Sequence, residues 1–285
     1  MMNRLYIFFA ILGIGLSCAA ASARQDAFTI EAGDAHNTIN HYAAYYLEEG
    51  PPLDVETVAS PAFQNKFAPV ATGEPDFGYF TKGIWLKIPI RNAASSEQSR
   101  ILVMHTNFMR TMSVFLATPD GVQTLLKQDP WSAFGTRAVA YHELAAPFTL
   151  KPGQEGVLYI RYTSEGSTML PLSLETPLSF ATAASRRITI DFVFYGIMAM
   201  FIIASIAGRL FWRNPTFVAY GLYASSVLLY IFQRDGYAFQ YLWPGAPEWN
   251  NFSSLPIGAS LPFLAAFFTR AYLRTKTIHP LLDRA

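Results

Sequence analysis

The sequence predicts an antiparallel β-sandwich of jelly-roll type, exported across a membrane and followed by α-helical transmembrane segments. Three observations carry this. Residues 28–175 alternate apolar and polar side chains in short runs broken by turn signals; uncharged runs of 17, 18 and 21 residues fill the last third; and the chain opens on the pattern of an export signal.

The composition fits two environments in one chain. Of 285 residues 52% are hydrophobic and 14% charged, against roughly 25% charged in an average globular protein. The net charge of +1 hides a division: Arg24 to Phe180 carries 11 Lys/Arg against 16 Asp/Glu, and Ala181 to Ala285 carries 9 against 4. An acidic half before a basic, apolar half argues against a nucleic-acid binder.

Arg4 supplies a positive start, Leu5 to Leu16 an apolar run, and Ala21-Ser22-Ala23 a small-residue cleavage site, so residues 1–23 read as a signal peptide. Twelve apolar residues are too few for a span of roughly 20. Lipid attachment at Cys18 would want Leu where Gly15 stands. Cys18 is the only cysteine, so the exported domain, 24–180, has no disulfide and must rely on its core.

Within that domain Ile84, Leu86, Ile88 and Ile90 alternate with Trp85, Lys87, Pro89 and Arg91, the period of a strand. Pro89 cannot donate to a ladder, which predicts an edge strand or a bulge. Ile101–Thr106, Met112–Ala117 and Val157–Thr163 are further strands. Pro119-Asp120-Gly121 and Lys151-Pro152-Gly153-Gln154 are turns, because Pro presets φ and Gly accepts positive φ. The stretch from His36 to Val58 is ambiguous.

The membrane region, 186–276, begins at Arg186-Arg187. Three helices are expected, at about 188–211, 216–233 and 250–270, each long enough for a ~30 Å hydrocarbon layer. With the sandwich outside, Arg209 and Arg213 after helix one, and Arg270, Arg274, Lys276 and Arg284 after helix three, fall inside, as the positive-inside rule asks. The outer loop has Arg234 balanced by Asp235 and Glu248. Pro256 and Pro262 should kink helix three, as packing kinks or as a signalling hinge.

Specific segments then become recognisable. Tyr46-Leu47-Glu48-Glu49 with Leu53-Asp54-Val55-Glu56, Gly78-Tyr79, Ile84-Trp85-Leu86-Lys87-Ile88 up to Asn92, and Lys151-Pro152-Gly153 leading into Leu158-Tyr159-Ile160-Arg161 stand in the first half. Tyr195-Gly196 and the run from Gly236 to Pro244 stand in the second. With these the chain resembles the bacterial seven-transmembrane receptors with diverse intracellular signalling modules, with their second type of extracellular domain. The resemblance implies a jelly-roll ligand-binding domain related to carbohydrate-binding modules, on a seven-helix unit in the bacterial cytoplasmic membrane. A cytoplasmic output module usually follows; this sequence stops at three helices, which reads as a fragment or a degenerate member.

If the ligand is a carbohydrate, exposed aromatics should bind it, because sugar rings stack on aromatic planes. Trp131, after Pro130 in a polar stretch, is the first candidate, and Phe134, Tyr141 and His142 lie near enough to share a loop surface with it. A cap on the sandwich core is the other reading of Trp131. Trp85 is assigned to packing, and Tyr241 and Trp243 to the aromatic belt at the bilayer surface, unless they meet the sandwich from below. Asp191, flanked by Arg186 and Arg187, is expected in a local ion pair or at the membrane interface.

No enzymatic chemistry is expected. Glu48-Glu49 would serve glycoside hydrolysis only if convergent, and neighbours on a strand face opposite ways, so a solvated turn is expected there. His36, His41, His105, His142 and His279 show no ligand spacing, so neither a metal nor another cofactor is expected. Expected partners are the lipid bilayer, a small extracytoplasmic ligand of carbohydrate type and a second copy in a homodimer. The functional expectation is a receptor segment that passes a conformational signal through its helices; the alternative is a membrane-tethered binding module without output.

Overall fold

The computed structural model describes residues 27–33, 35–70, 73–106 and 110–278, so the expected signal peptide, His279 and Arg284 lie outside the described residues. Along the chain come β1 (Phe28–Ile30), β2 (His36–Thr38), β3 (Ala44–Leu47), α1 (Val55–Ala59), β4 (Ala68–Pro69) and β5 (Ile84–Asn92). Then follow β6 (Gln98–Met104), β7 (Thr111–Thr118), β8 (Gly121–Gln128), β9 (Leu144–Leu150), β10 (Glu155–Thr163) and β11 (Leu172–Glu175). The helices α2 (Pro177–Trp212), α3 (Thr216–Arg234), α4 (Tyr237–Tyr241), α5 (Pro247–Leu273) and α6 (Thr275–Ile278) complete the order.

The strands form two sheets, one ordered β4-β3-β5-β10-β7-β8 with β1 also on β5, the other β2-β11-β6-β9. Their facing sides make the core. Ile84, Leu86, Ile88 and Ile90 of β5 and Leu158, Ile160 and Tyr162 of β10 meet Leu102 and Met104 of β6, Phe148 of β9, and Leu172 and Leu174 of β11. The period-two pattern of β5 therefore does what it predicts. All pairs are antiparallel except β1 on β5.

Pro89 does not mark an edge. β5 is central, bound by β10 along one side and by β3, then β1, along the other. Pro89 stands between Lys87, paired with β3, and Ile90, paired with β1. On that side no strand among the described residues faces it, so the missing donor costs no ladder bond there.

The outer face of the larger sheet is covered as well. Trp85 and Tyr159 pack with Val55 and Val58 of α1 and with Phe63 of the 3₁₀ turn that follows. Asp54 caps α1 by accepting from Thr57 N at 2.7 Å. Glu48, expected in a solvated turn, is buried instead. Its carboxylate accepts from Trp85 Nε1 at 2.7 Å, Leu53 N at 3.1 Å, and Arg161 Nε and Nη2 at 2.9 and 2.7 Å. Burial pushes the Glu48 pKa up, but the bonds from Arg161, Leu53 and Trp85 outweigh it and hold it below the usual 4.5. A Cβ at Gly83 would run into Glu48 and Arg161, so glycine leaves room for the clamp.

Helices stand at the three expected spans, with 36, 19 and 27 residues against uncharged runs of 17, 18 and 21: α2, α3 and α5 are long and apolar enough to cross a membrane. α5 runs unbroken through Pro256 and Pro262. Between the exported domain and the first span the chain is continuous helix. β11 ends at Glu175, Thr176 caps the next helix by accepting from Ser179 N at 3.2 Å, and Pro177 opens it. With 36 residues α2 is about 54 Å long, well beyond a hydrocarbon layer of ~30 Å. Its first turns lie on the outer face of the smaller sheet, where Phe180 packs against Ile101, Val103 and Ala145.

Candidate functional site at the sandwich–membrane junction

Strand alternation sends Leu172 and Leu174 of β11 inward, and so sends Ser173 and Glu175 outward. His105, just past β6, and Glu143, just before β9, join them. Glu175 Oε1 takes His36 Nδ1 at 3.1 Å and Ser173 Oγ–H at 3.1 Å. Ser173 Oγ lies 2.9 Å from His105 Nε2, His105 Nδ1 lies 3.1 Å from Glu143 Oε2, and Arg187 Nη2 of α2 lies 3.6 Å from Glu143 Oε1. A continuous line of polar groups thus runs from the edge strand β2 to the first membrane helix.

The hydroxyl proton of Ser173 goes to the Glu175 carboxylate, so Ser173 Oγ accepts from His105 Nε2–H, and the Glu143 carboxylate lies against the other ring nitrogen, Nδ1. Burial pushes the Glu143 pKa up, but the His105 bond and the charges of His105 and Arg187 outweigh it and hold it below 4.5.

Beside this line, the chain between β8 and β9 meets the α3–α5 connection. Gly236, at φ +85, turns the chain sharply out of α3 and into α4. Tyr237 is thereby buried against His142, with ring centroids 4.4 Å apart, and Phe239 meets Phe134 edge-on at 5.6 Å. The Arg137 guanidinium lies 4.7 Å from the Phe134 ring and 5.6 Å from the Phe239 ring, and its Nη1 donates to the carbonyls of Tyr141 and His142. Burial lowers the Arg137 pKa to about 10. Burial also lowers that of His142, against the nearby Glu143 charge, which favours the cation.

Two tyrosine–aspartate bonds tie this turn to α2. Tyr237 Oη–H donates to Asp191 Oδ2, and Tyr195 Oη–H donates to Asp235 Oδ2, each at 2.7 Å. Asp191 thus takes a phenol, while Arg187, one of its expected partners, reaches Glu143.

The four aromatic candidates do not form one surface. Trp131 is 67% exposed, whereas Phe134, Tyr141 and His142 are buried, the first two against Phe239 and Phe180 and the third against Tyr237. Helical residues distant in sequence cover them, which short-range spacing cannot reveal. Phe134 N also donates to Pro244 O at 3.0 Å, so the outer loop does meet the sandwich from below. Sequence reasoning missed His105, Arg137, Glu143, Ser173 and Glu175 as a group. The alternation in Leu172-Ser173-Leu174-Glu175 was the available signal.

Two family models match the chain: one described as 7TMR-DISM extracellular 2 over residues 40–176, and one described as 7TM diverse intracellular signalling over residues 187–285. No curated protein matches. Among solved structures, a β-glucosidase from Kluyveromyces marxianus in complex with glucose is 13% identical, with a TM-score of 0.25 over 47% of this chain and 15% of its own. A family 35 carbohydrate-binding module from Clostridium thermocellum is 13% identical, with a TM-score of 0.24 over 50% of this chain and 98% of its own. A GH31 α-xylosidase from Xanthomonas citri is 9% identical, with a TM-score of 0.21 over 47% of this chain and 16% of its own. This chain thus spans less than a fifth of each of the two enzymes.

Proposed function

The chain belongs to the 7TMR-DISM family of membrane receptors, and we propose that it is a sensory, non-catalytic receptor segment of the bacterial cytoplasmic membrane. An extracytoplasmic ligand on the sandwich would bias how the smaller sheet packs on α2, and α2 would carry the difference into the membrane. One observation supports this above the others: β11 passes through Thr176 directly into α2, with no loop to absorb movement. The Glu143–Arg187 contact, about three turns into α2, gives the same helix a second hold on the sheet.

The ligand in this reading is carbohydrate-like, the class implied by the family resemblance. We place it at the end of the larger sheet remote from Gln128 and Thr163, where a cavity of about 510 Å³ is lined by Pro89, Thr118, Glu155 and Tyr159 among others. Binding must differ between two arrangements of sheet and helix, or nothing is transmitted.

Cys18 is the sole cysteine, so in a C18S background introduced cysteine pairs report cleanly. Spin labels at Gln123→Cys and Leu210→Cys, in the full chain in nanodiscs, would be followed with oligosaccharides that bind. A shifted distance distribution supports transmission. A ligand that binds and leaves it unchanged makes the chain a tethered binding module.

A further inference from the structure

We infer that Trp131 is a membrane anchor: the loop after β8 sets its indole into the headgroup region of the outer leaflet, fixing the sandwich to the lipid surface as well as to the helices. The loop is built to present this side chain. Asp129 Oδ1 accepts from Trp131 N at 2.8 Å, and Ser132 N donates to Asp129 O at 3.1 Å, closing a tight turn with the indole 67% exposed at its tip.

Its depth follows from what holds the turn. Pro130 O accepts from Asn251 Nδ2 at 2.6 Å. Asn251 is the fifth residue of α5, about 6 Å along the axis from the helix start. The uncharged run that crosses the bilayer begins at Trp249. Trp131 is therefore level with the point where α5 enters the membrane, where indoles gather because they join an apolar ring to one N–H donor.

The surface around it is continuous with the lipid-facing flank of α5. Trp131 and Trp249 line one open cleft of about 380 Å³, Trp249 packs near Phe252 with centroids 6.3 Å apart, and exposed Phe252 and Leu255 continue down the helix. Asp129 beside Trp131 and Glu248 in the cleft add negative charge. The partner is thus the carbonyl and zwitterionic headgroup layer, with no requirement for anionic lipid. The anchor needs only that α5 spans the bilayer; it stands whether or not the sandwich signals.

The full chain would be reconstituted in phosphatidylcholine vesicles, with and without lipid brominated near the top of the acyl chain. Trp131 emission is the difference between the native protein and Trp131→Phe, which removes an exposed ring and should leave the unfolding temperature unchanged. We expect that emission to fall about twofold or more with brominated lipid, to resist aqueous iodide, and to be indifferent to added phosphatidylglycerol. Emission untouched by bromine and quenched by iodide like free tryptophan would overturn the inference. So would iodide protection that appears only on adding a soluble oligosaccharide, which would make Trp131 a sugar platform.

Discussion

The ring of His142 lies 4.4 Å from that of Tyr237, with planes inclined at 33°, and the two belong to different halves of the chain. Tyr237 also binds Asp191 of α2 through its hydroxyl, so one side chain touches the sandwich, the outer loop and the first membrane helix. Tyr237→Ala should destabilise the docked state by about 3–5 kcal/mol, the range for deleting a buried aromatic ring. Tyr237→Phe keeps the ring and strands the Asp191 carboxylate, at about 1–3 kcal/mol. Hydrogen exchange at residues 139–145, in the full chain in nanodiscs, should rise strongly for the first variant and modestly for the second. Equal effects would mean that the hydroxyl, not the ring, holds the junction.

Acid should loosen the same junction in two steps. Burial lowers the His142 pKa below its unfolded 6.5, so the unfolded chain binds a proton first. The His142 contribution is complete above 6.5 and is lost as pH falls from there through the folded value. Glu143 is also lowered, from 4.5, so its contribution is complete above 4.5 and is lost below it. Unfolding temperature measured from pH 8 to pH 4 should therefore decline from about 6.5 downward. His142→Phe should flatten the upper part of the decline, and Glu143→Gln the lowest part.

Glu48 is the sandwich's own ionic anchor, and its removal should tell on the whole domain. It meets Arg161 side-on, taking Nε–H and Nη2–H on its two oxygens, while also taking the Trp85 indole proton. Glu48→Ala leaves Arg161 and Trp85 without their acceptor, which should cost about 3–5 kcal/mol, the usual effect of breaking a buried pair from one side. Glu48→Gln should recover part of this through the Trp85 bond. Gly83→Ala should mimic the loss, since the added methyl occupies the space of the carboxylate. Denaturant midpoints of the three variants would rank them.

The contrast between Ile88 and Glu48 explains how much of the fold was legible. Ile88 belongs to a strand whose burial is set by its neighbours two residues away, so alternation alone places it. Glu48 is buried by Trp85 and by Arg161, 113 residues farther on, and no local pattern announces such a partner. Helices α2, α3 and α5 were readable because a bilayer imposes length and apolarity on a single segment. The junction was not, since His142 and Tyr237 reveal their roles only together. The expected aromatic residues show the same limit: Trp131 is exposed, whereas Phe134, Tyr141 and His142 are covered by Phe239, Phe180 and Tyr237, far along the chain.

Helix contact inside the membrane depends on two glycines and should be breakable without touching the sandwich. A Cβ at Gly208 of α2 would lie 2.6 Å from the Phe217 ring of α3, and one at Gly221 of α3 would meet Ser205 Oγ of α2. Small residues let helix backbones approach where apolar burial gives no drive, because lipid is as apolar as the partner helix. Gly208→Leu should therefore part α2 from α3, while Gly196→Leu, where a Cβ meets nothing within 4 Å, should not. Spin labels at Ile203→Cys of α2 and Leu222→Cys of α3, both exposed, in the C18S background, read this out. Their distance distribution should keep its native position beside Gly196→Leu and lengthen beside Gly208→Leu, with hydrogen exchange of β5 and β10 unchanged in both. Loss of β-sheet protection would instead mean that the sandwich needs the helices to hold its fold, because α2 covers Ile101 and Val103 through Phe180.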